Sequence, residues 1–164
     1  MEFFSAVKKR SSVREYQDKK IDRNIIAKAI EAGAFAATAR NVQPWEFIVI
    51  YDKKNIDLIA KECPNGLFMK DADCVISVFS KETKYYLEDC SAATQNILLA
   101  IQALGLGACW IAGDKKPYMA YVKNLLKVPD GYRLVSMISV GYPKGKVVQK
   151  SKRNLEEMIH WETW

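Results

Sequence analysis

A chain of 164 residues is long enough for one well-buried core and short for two, so a single domain spanning residues 1–164 is expected. With 49% hydrophobic and 27% charged residues the balance is globular, which excludes a disordered chain, and no apolar run reaches membrane length. The formal net charge of +6 and a pI near 9.1 favour an anionic ligand or partner, with nucleic acid, a phosphorylated cofactor and a functionless charged surface all open at this point.

Met1 to Phe4 carries no basic region ahead of a long apolar stretch, so neither a secretory signal nor an anchor is expected, and a cytoplasmic protein is the default. Phe3, Phe4 and Val7 recur at helical spacing, and Lys8, Lys9 and Arg10 follow where a helix C-terminus favours cations. This first helix delivers Arg10-Ser11-Ser12-Val13-Arg14, a stretch with two guanidiniums and two hydroxyls that reads either as a solvated basic turn or as an anion clamp. Asp22 caps a second helix with Ile26, Ile30 and Ala34 on one face, and Gly33 permits close packing or fraying there. The helix dissolves near Ala37–Arg40. Pro44 keeps Gln43 out of the helical region, so an extended loop carrying Asn41 and Gln43 is expected to feed a strand over Phe47–Tyr51.

Asp52 to Lys61 reads as a short amphipathic helix, Cys74–Phe79 as a second strand, and Tyr85–Leu104 as a long, nearly all-apolar central helix. Gly105-Leu106-Gly107 stops it, Ala108–Ala112 is a third strand ending at Gly113, and Pro117 opens a further helix through Leu126. Leu134 to Val140 is a fourth strand. Lys144 to Arg153 is a basic loop, and Leu155–Trp164 carries large apolar side chains that predict docking on its own domain or on a second subunit.

Cys63, Cys74, Cys90 and Cys109 lack C-x-x-C spacing and His160 is the only histidine, so a metal centre is not expected and the thiols read as buried core residues. No G-x-G-x-x-G follows a strand, which argues against a Rossmann site. Helices and strands intermix without a βαβ rhythm or internal repeat, favouring an α+β fold.

Four ordered segments, Arg10–Arg14, Asn41–Trp45, Gly105–Gly113 and Gly141-Tyr142-Pro143 with the basic loop and Leu155-Glu156-Glu157, resemble the nitroreductase family of FMN-dependent flavoproteins. The resemblance spans nearly the whole chain and implies a central mixed or antiparallel sheet flanked by helices, in an intertwined homodimer with FMN at the subunit interface. It implies that Arg10, Ser11 and Ser12 hold the phosphate and ribityl chain, and that Arg14 lies nearer the pyrimidine edge of the ring. Lys150, Lys152 and Arg153 fall in the region of a second phosphate clamp, with Lys152 ranked first. Asn41 and Gln43 would reach the flavin from the other subunit, Ala112 and Gly113 would approach the ring with their backbone, and Asn65 is a weaker candidate at the ring edge.

The implied reaction is hydride transfer from NADH or NADPH through flavin N5 to a small electrophile such as a nitroaromatic or quinone. No side-chain nucleophile is required, and Arg14 supplies electrostatic support. The chain departs from the family at Ala37-Thr38-Ala39, where many members have Pro-Ser-Ser or Pro-Ser-Ala, and Arg40 adds a charge beside Asn41. Two alternatives are other reduced-FMN chemistry, such as flavin cleavage or dehalogenation, and a basic nucleic-acid-binding module using Lys144–Arg153. No membrane or nucleic-acid partner is expected under the leading reading.

Overall fold

The computed structural model describes all 164 residues. Along the chain run α1 (Phe3–Lys9), α2 (Arg23–Ala34), β1 (Trp45–Ile50), α3 (Lys53–Glu62), β2 (Cys74–Lys81), α4 (Tyr86–Ala103), β3 (Gly107–Ala112), α5 (Met119–Leu125) and β4 (Tyr132–Gly141). Short 3-10 turns occupy Ala39–Asn41, Leu67–Asp71 and Leu155–Glu157. The fold is α+β. The four strands lie in the order β1-β2-β4-β3, and every neighbouring pair is antiparallel.

Strands β2 and β4 take the centre because both faces of the sheet are covered. On one face Ile76, Val78, Ile138 and Val140 pack with Cys90, Ala93, Ile97 and Ile101 of α4 and Ile26 and Ala29 of α2. On the other, Val75, Phe79, Leu134 and Met137 pack with Ile56 and Ile59 of α3 and Val122 of α5. Each fully buried aliphatic side chain contributes on the order of 1.5–3 kcal/mol, so this double layer supplies most of the cohesion of the fold. Helices α2 and α4 approach closely because Gly33 has no side chain, and a Cβ there would lie 2.6 Å from Cγ1 of Ile97. Asp22 caps α2 and Asp52 caps α3, each carboxylate accepting from a backbone N–H of the first turn.

No helix is long and apolar enough to cross a membrane.

Three expectations from the sequence are corrected. The loop before β1 is not extended, because Ala39–Asn41 closes a 3-10 turn and Gln43, barred from the right-handed region by Pro44, adopts φ +49°. The helix expected to open at Pro117 starts at Met119, with Tyr118 in the N-cap position and no side-chain cap. Of the two docking places expected for the tail, its own domain is excluded, since every residue from Leu155 to Trp164 is exposed.

Candidate functional site

The Arg10–Arg14 stretch is held against the outer edge of β3. Arg10 caps α1, its N–H donating to the Ala6 carbonyl at 2.9 Å, and Ser12 then bridges Ala108 in parallel, with the Val13 N–H on the Ala108 carbonyl at 2.9 Å. Val13 and Tyr16 turn inward, where the Tyr16 hydroxyl donates to the Val13 carbonyl at 2.6 Å and pairs with Ser139 Oγ at 2.7 Å. Burial pushes this phenol above its ordinary range, so it remains a neutral anchor. Alternation along the extended chain then leaves the Arg10, Ser12 and Arg14 side chains outward.

These side chains meet the basic loop in a cavity of about 190 Å³. Lys8, Arg10, Ser11, Ser12 and Arg14 form one wall, and Val148, Gln149, Lys150 and Lys152 form the other. Gln149 Nε2 donates to the Lys8 carbonyl and joins the two walls. Five cations line the cavity and no carboxylate does, an arrangement that attracts an oxyanion and offers it forked guanidinium, hydroxyl and ammonium donors. Arg153 lies outside this lining, with its Nε 3.8 Å from the Glu157 carboxylate and its Nη2 donating to the Glu157 carbonyl.

Further along the same edge stand Ala112 and Gly113. Ala112 is four residues beyond Ala108, about 13 Å at strand rise, and is exposed. A bulge in β4 fixes this end of β3: Val78 pairs with Ser136 and Phe79 with Leu134, so Val135 has no partner in β2. The Val135 carbonyl accepts instead from Gly113 N–H at 2.9 Å and Asp114 N–H at 3.1 Å. With the Gly113 N–H directed into the sheet, antiparallel alternation turns that of Ala112 outward. A side chain at position 113 would not fit, since its Cβ would lie 2.5 Å from Leu134 Cγ. Tyr118 donates its hydroxyl to the Ala112 carbonyl. Asp114 is held by the Tyr86 hydroxyl at 3.1 Å and by Arg133, which also pairs with Glu82.

Asn41 and Gln43 do not line the cationic cavity of their own chain. They protrude from a loop in which Arg40, Asn41 and Gln43 all have left-handed φ values of 55°, 55° and 49°. Such conformations cost on the order of 1–3 kcal/mol each outside glycine, least for asparagine. The loop is fastened from below by Asp89, a buried carboxylate in the first turn of α4. Thr38 Oγ1 donates to Asp89 Oδ2 at 2.9 Å, the Ala39 N–H donates to Asp89 Oδ1 at 3.1 Å, and Thr38 Oγ1 accepts from the Gln43 N–H at 3.2 Å.

Asn65 is exposed in the turn ahead of Leu67–Asp71. That turn carries Phe68, whose ring lies 5.5 Å from the Arg14 guanidinium. Arg14 also borders a larger cavity of about 530 Å³, but there Glu15, Asp18, Asp71 and Asp73 stand among the cations, with Lys20 paired to Asp73 at 3.0 Å.

The four cysteines are free and buried, and burial pushes Cys63 and Cys74 up to about 12 and Cys90 up to about 11. None is prepared as a thiolate nucleophile. His160 stacks on Trp164 in the exposed tail, ring centroids 4.2 Å apart.

The model of the family described as "Putative TM nitroreductase" matches residues 2–164 of this chain. The chain belongs to the nitroreductase family. A family relative from Archaeoglobus fulgidus, named "Putative NADH dehydrogenase/NAD(P)H nitroreductase", is 34% identical over 94% of each chain. The Parabacteroides distasonis crystal structure bearing that same name superposes with a TM-score of 0.94, at 36% identity, covering 99% of this chain and 98% of the other. The "FMN-dependent Nitroreductase" of Clostridium difficile R20291 superposes with a TM-score of 0.88, at 28% identity, covering 98% and 99%.

Within this family fold, several residues of the candidate site escape a reading by sequence. Lys8 and Gln149 line the cavity beside residues already singled out, and their only signal was proximity in the chain. Asp89 did leave one: it shares the apolar face of Ala93 and Ile97 at i, i+4, i+8 spacing, and a carboxylate on such a face requires partners.

Proposed function

We propose that the chain is an FMN-dependent oxidoreductase that takes a hydride from NADH or NADPH and passes it to a small electrophile such as a nitroaromatic or a quinone. The observation that carries this reading is the acid-free cavity in which Arg10, Ser11, Ser12 and Arg14 meet Lys150 and Lys152. Its donor set fits a phosphate dianion. The open edge of β3 beyond it, with the outward Ala112 N–H and a glycine that admits close approach, fits the hydrogen-bonding rim of a flat ring. FMN combines these two ends in one molecule, and the Clostridium difficile neighbour is named for it.

When bound, FMN supplies the redox chemistry, accepting and releasing hydride at N5. The chain supplies binding, orientation and charge. Lys8, Arg10, Lys150 and Lys152 hold the phosphate, with Ser11 and Ser12 completing the hydrogen bonds. Arg14, placed over Phe68, presents a fixed positive charge to the pyrimidine edge, where negative charge grows on reduction. Asn41 and Gln43 serve the flavin of a second copy, so the working unit is a homodimer. Its support is the apolar surface left in water: Phe3, Phe4 and Val7 on α1, and Val148, Leu155, Trp161 and Trp164 in the terminal segment.

The test is the visible absorption spectrum of the purified protein before and after anaerobic NADH or NADPH, with sedimentation to read the mass. Flavin bands that bleach with the nicotinamide and return with air, on a particle of twice the chain mass, are expected. A colourless protein that takes up no added FMN would sink the proposal.

A further inference from the structure

We infer that Asp89 and Thr38 form a positioning pair that sets the shape of the loop presenting Asn41 and Gln43 to the flavin. The inference rests on the FMN reading above and adds residues that touch no cofactor. Its starting point is an imbalance in the loop itself. Residues 38–43 contain no glycine, yet three of them hold left-handed φ values, and the following Pro44 denies Gln43 the right-handed region. Such a conformation persists only when its surroundings over-determine it.

The surroundings are two side chains. Asp89 is 5% exposed, and both of its carboxylate oxygens accept from the loop, Oδ2 from the Thr38 hydroxyl and Oδ1 from the Ala39 N–H. The Thr38 oxygen accepts in turn from the Gln43 N–H, so a single chain of hydrogen bonds runs from the α4 helix to both ends of the turn. Because Thr38 donates through its only proton and accepts at the same oxygen, the carboxylate fixes the direction of the relay. The first turn of α4 is a favourable place for that negative charge, since the helix dipole is positive there. The rest of α4 is packed between α2 and the sheet, so the loop is referenced to a helix buried in the core.

Asparagine at position 89 keeps the volume but offers one acceptor. If its oxygen takes the Ala39 N–H, its amide faces the Thr38 oxygen as a second donor beside the Gln43 N–H, and the Thr38 hydroxyl proton loses its acceptor. Valine at 38 keeps the shape and removes the hydroxyl. Serine keeps the hydroxyl and serves as the conservative control.

The experiment compares wild type, Asp89→Asn, Thr38→Val and Thr38→Ser by three readouts: FMN dissociation constant from fluorescence, midpoint potential at FMN saturation, and amide hydrogen exchange of the cofactor-free proteins. In Asp89→Asn and Thr38→Val, the dissociation constant should rise about tenfold or more. The potential of the saturated protein should move, and the Ala39 and Gln43 amides should exchange faster while β2 and β4 keep their protection. Thr38→Ser should match wild type in all three. Thr38→Val, at a half-buried loop position, carries the test by itself if Asp89→Asn does not fold. Unchanged affinity and potential despite faster loop exchange would overturn the inference, leaving the pair purely structural. Unchanged exchange would overturn the anchoring itself. A wild-type protein that does not bind FMN would overturn the functional reading and the inference together, and that result is distinct from a variant effect on a wild type that binds.

Discussion

The two central strands and the two ends of the chain are similarly rich in large apolar side chains, yet they are treated oppositely. β2 buries every residue from Cys74 to Ser80 and β4 every residue from Leu134 to Gly141, whereas Phe3, Phe4, Val148, Leu155, Trp161 and Trp164 are all more than half exposed. The strands find their partners within the chain. The ends do not, and the cationic cavity lies where the two ends meet, between α1 and the basic loop. The cohesive core and the cationic cavity thus belong to different parts of the molecule, and a substitution in one should leave the other largely intact.

The sharpest way to probe that division is to damage the interior. Ile138→Ala in β4, where the side chain is wholly buried between sheet and helices, should lower unfolding stability by about 2–5 kcal/mol in urea titrations. FMN affinity of the fraction still folded should be nearly unchanged. The converse damage is Arg10→Ala or Lys152→Ala, each of which should weaken FMN binding by about tenfold or more while the cofactor-free melting temperature stays within experimental error. Retained FMN affinity in both variants would mean that the two arms do not form the anion site.

A smaller and more selective effect belongs to Arg14. Placed at the far end of the clamp over Phe68, it should matter more to flavin reduction than to retention. Stopped-flow reduction of Arg14→Ala by NADH should slow about tenfold, the worth of one charge-assisted hydrogen bond. If FMN is lost while the reduction rate of reloaded protein is normal, Arg14 is a binding residue only.

The interior also predicts a pH limit. Cys63 and Cys74 are pushed up to about 12 and Cys90 to about 11, from an ordinary value of 9.0, with burial the largest cause. A thiol raised in the fold keeps its proton there while the unfolded chain loses its own, so stability is fully present below pH 9 and falls as pH rises toward 12. Urea midpoints measured from pH 8 to 11 should therefore decline, and the decline should be shallower in Cys74→Ala. A flat profile would remove the thiols from the account.

Most of the interior was legible because burial imposes a period. Cys74–Phe79, Ala108–Ala112 and Leu134–Val140 were located from short apolar runs, and the strand cores agree within two residues at each end. The helix cap at Asp22 was likewise legible from local chemistry, whereas Asp52, read as the first residue of its helix, is the cap of α3. The ends were harder to read, because Phe3, Phe4 and Val7 have the same helical spacing whether a partner lies inside or outside the chain. The loop at 38–43 was misread as extended, because no glycine marks its left-handed turn and its geometry is set by a carboxylate about fifty positions away. The resemblance ranks Lys152 ahead of Arg153 without a reason in the residues themselves, and the folded chain turns Lys152 into the cavity and Arg153 toward Glu157.

If the two walls of the cavity close on a phosphate, the cofactor-free protein should distinguish FMN from riboflavin at fixed salt. The two ligands share ring and ribityl chain and differ in the phosphate alone. FMN should bind about a hundredfold more tightly, a gap worth two charge-assisted contacts, and Arg10→Ala together with Lys152→Ala should close most of it. Equal affinity for the two flavins in the wild-type protein would contradict the account.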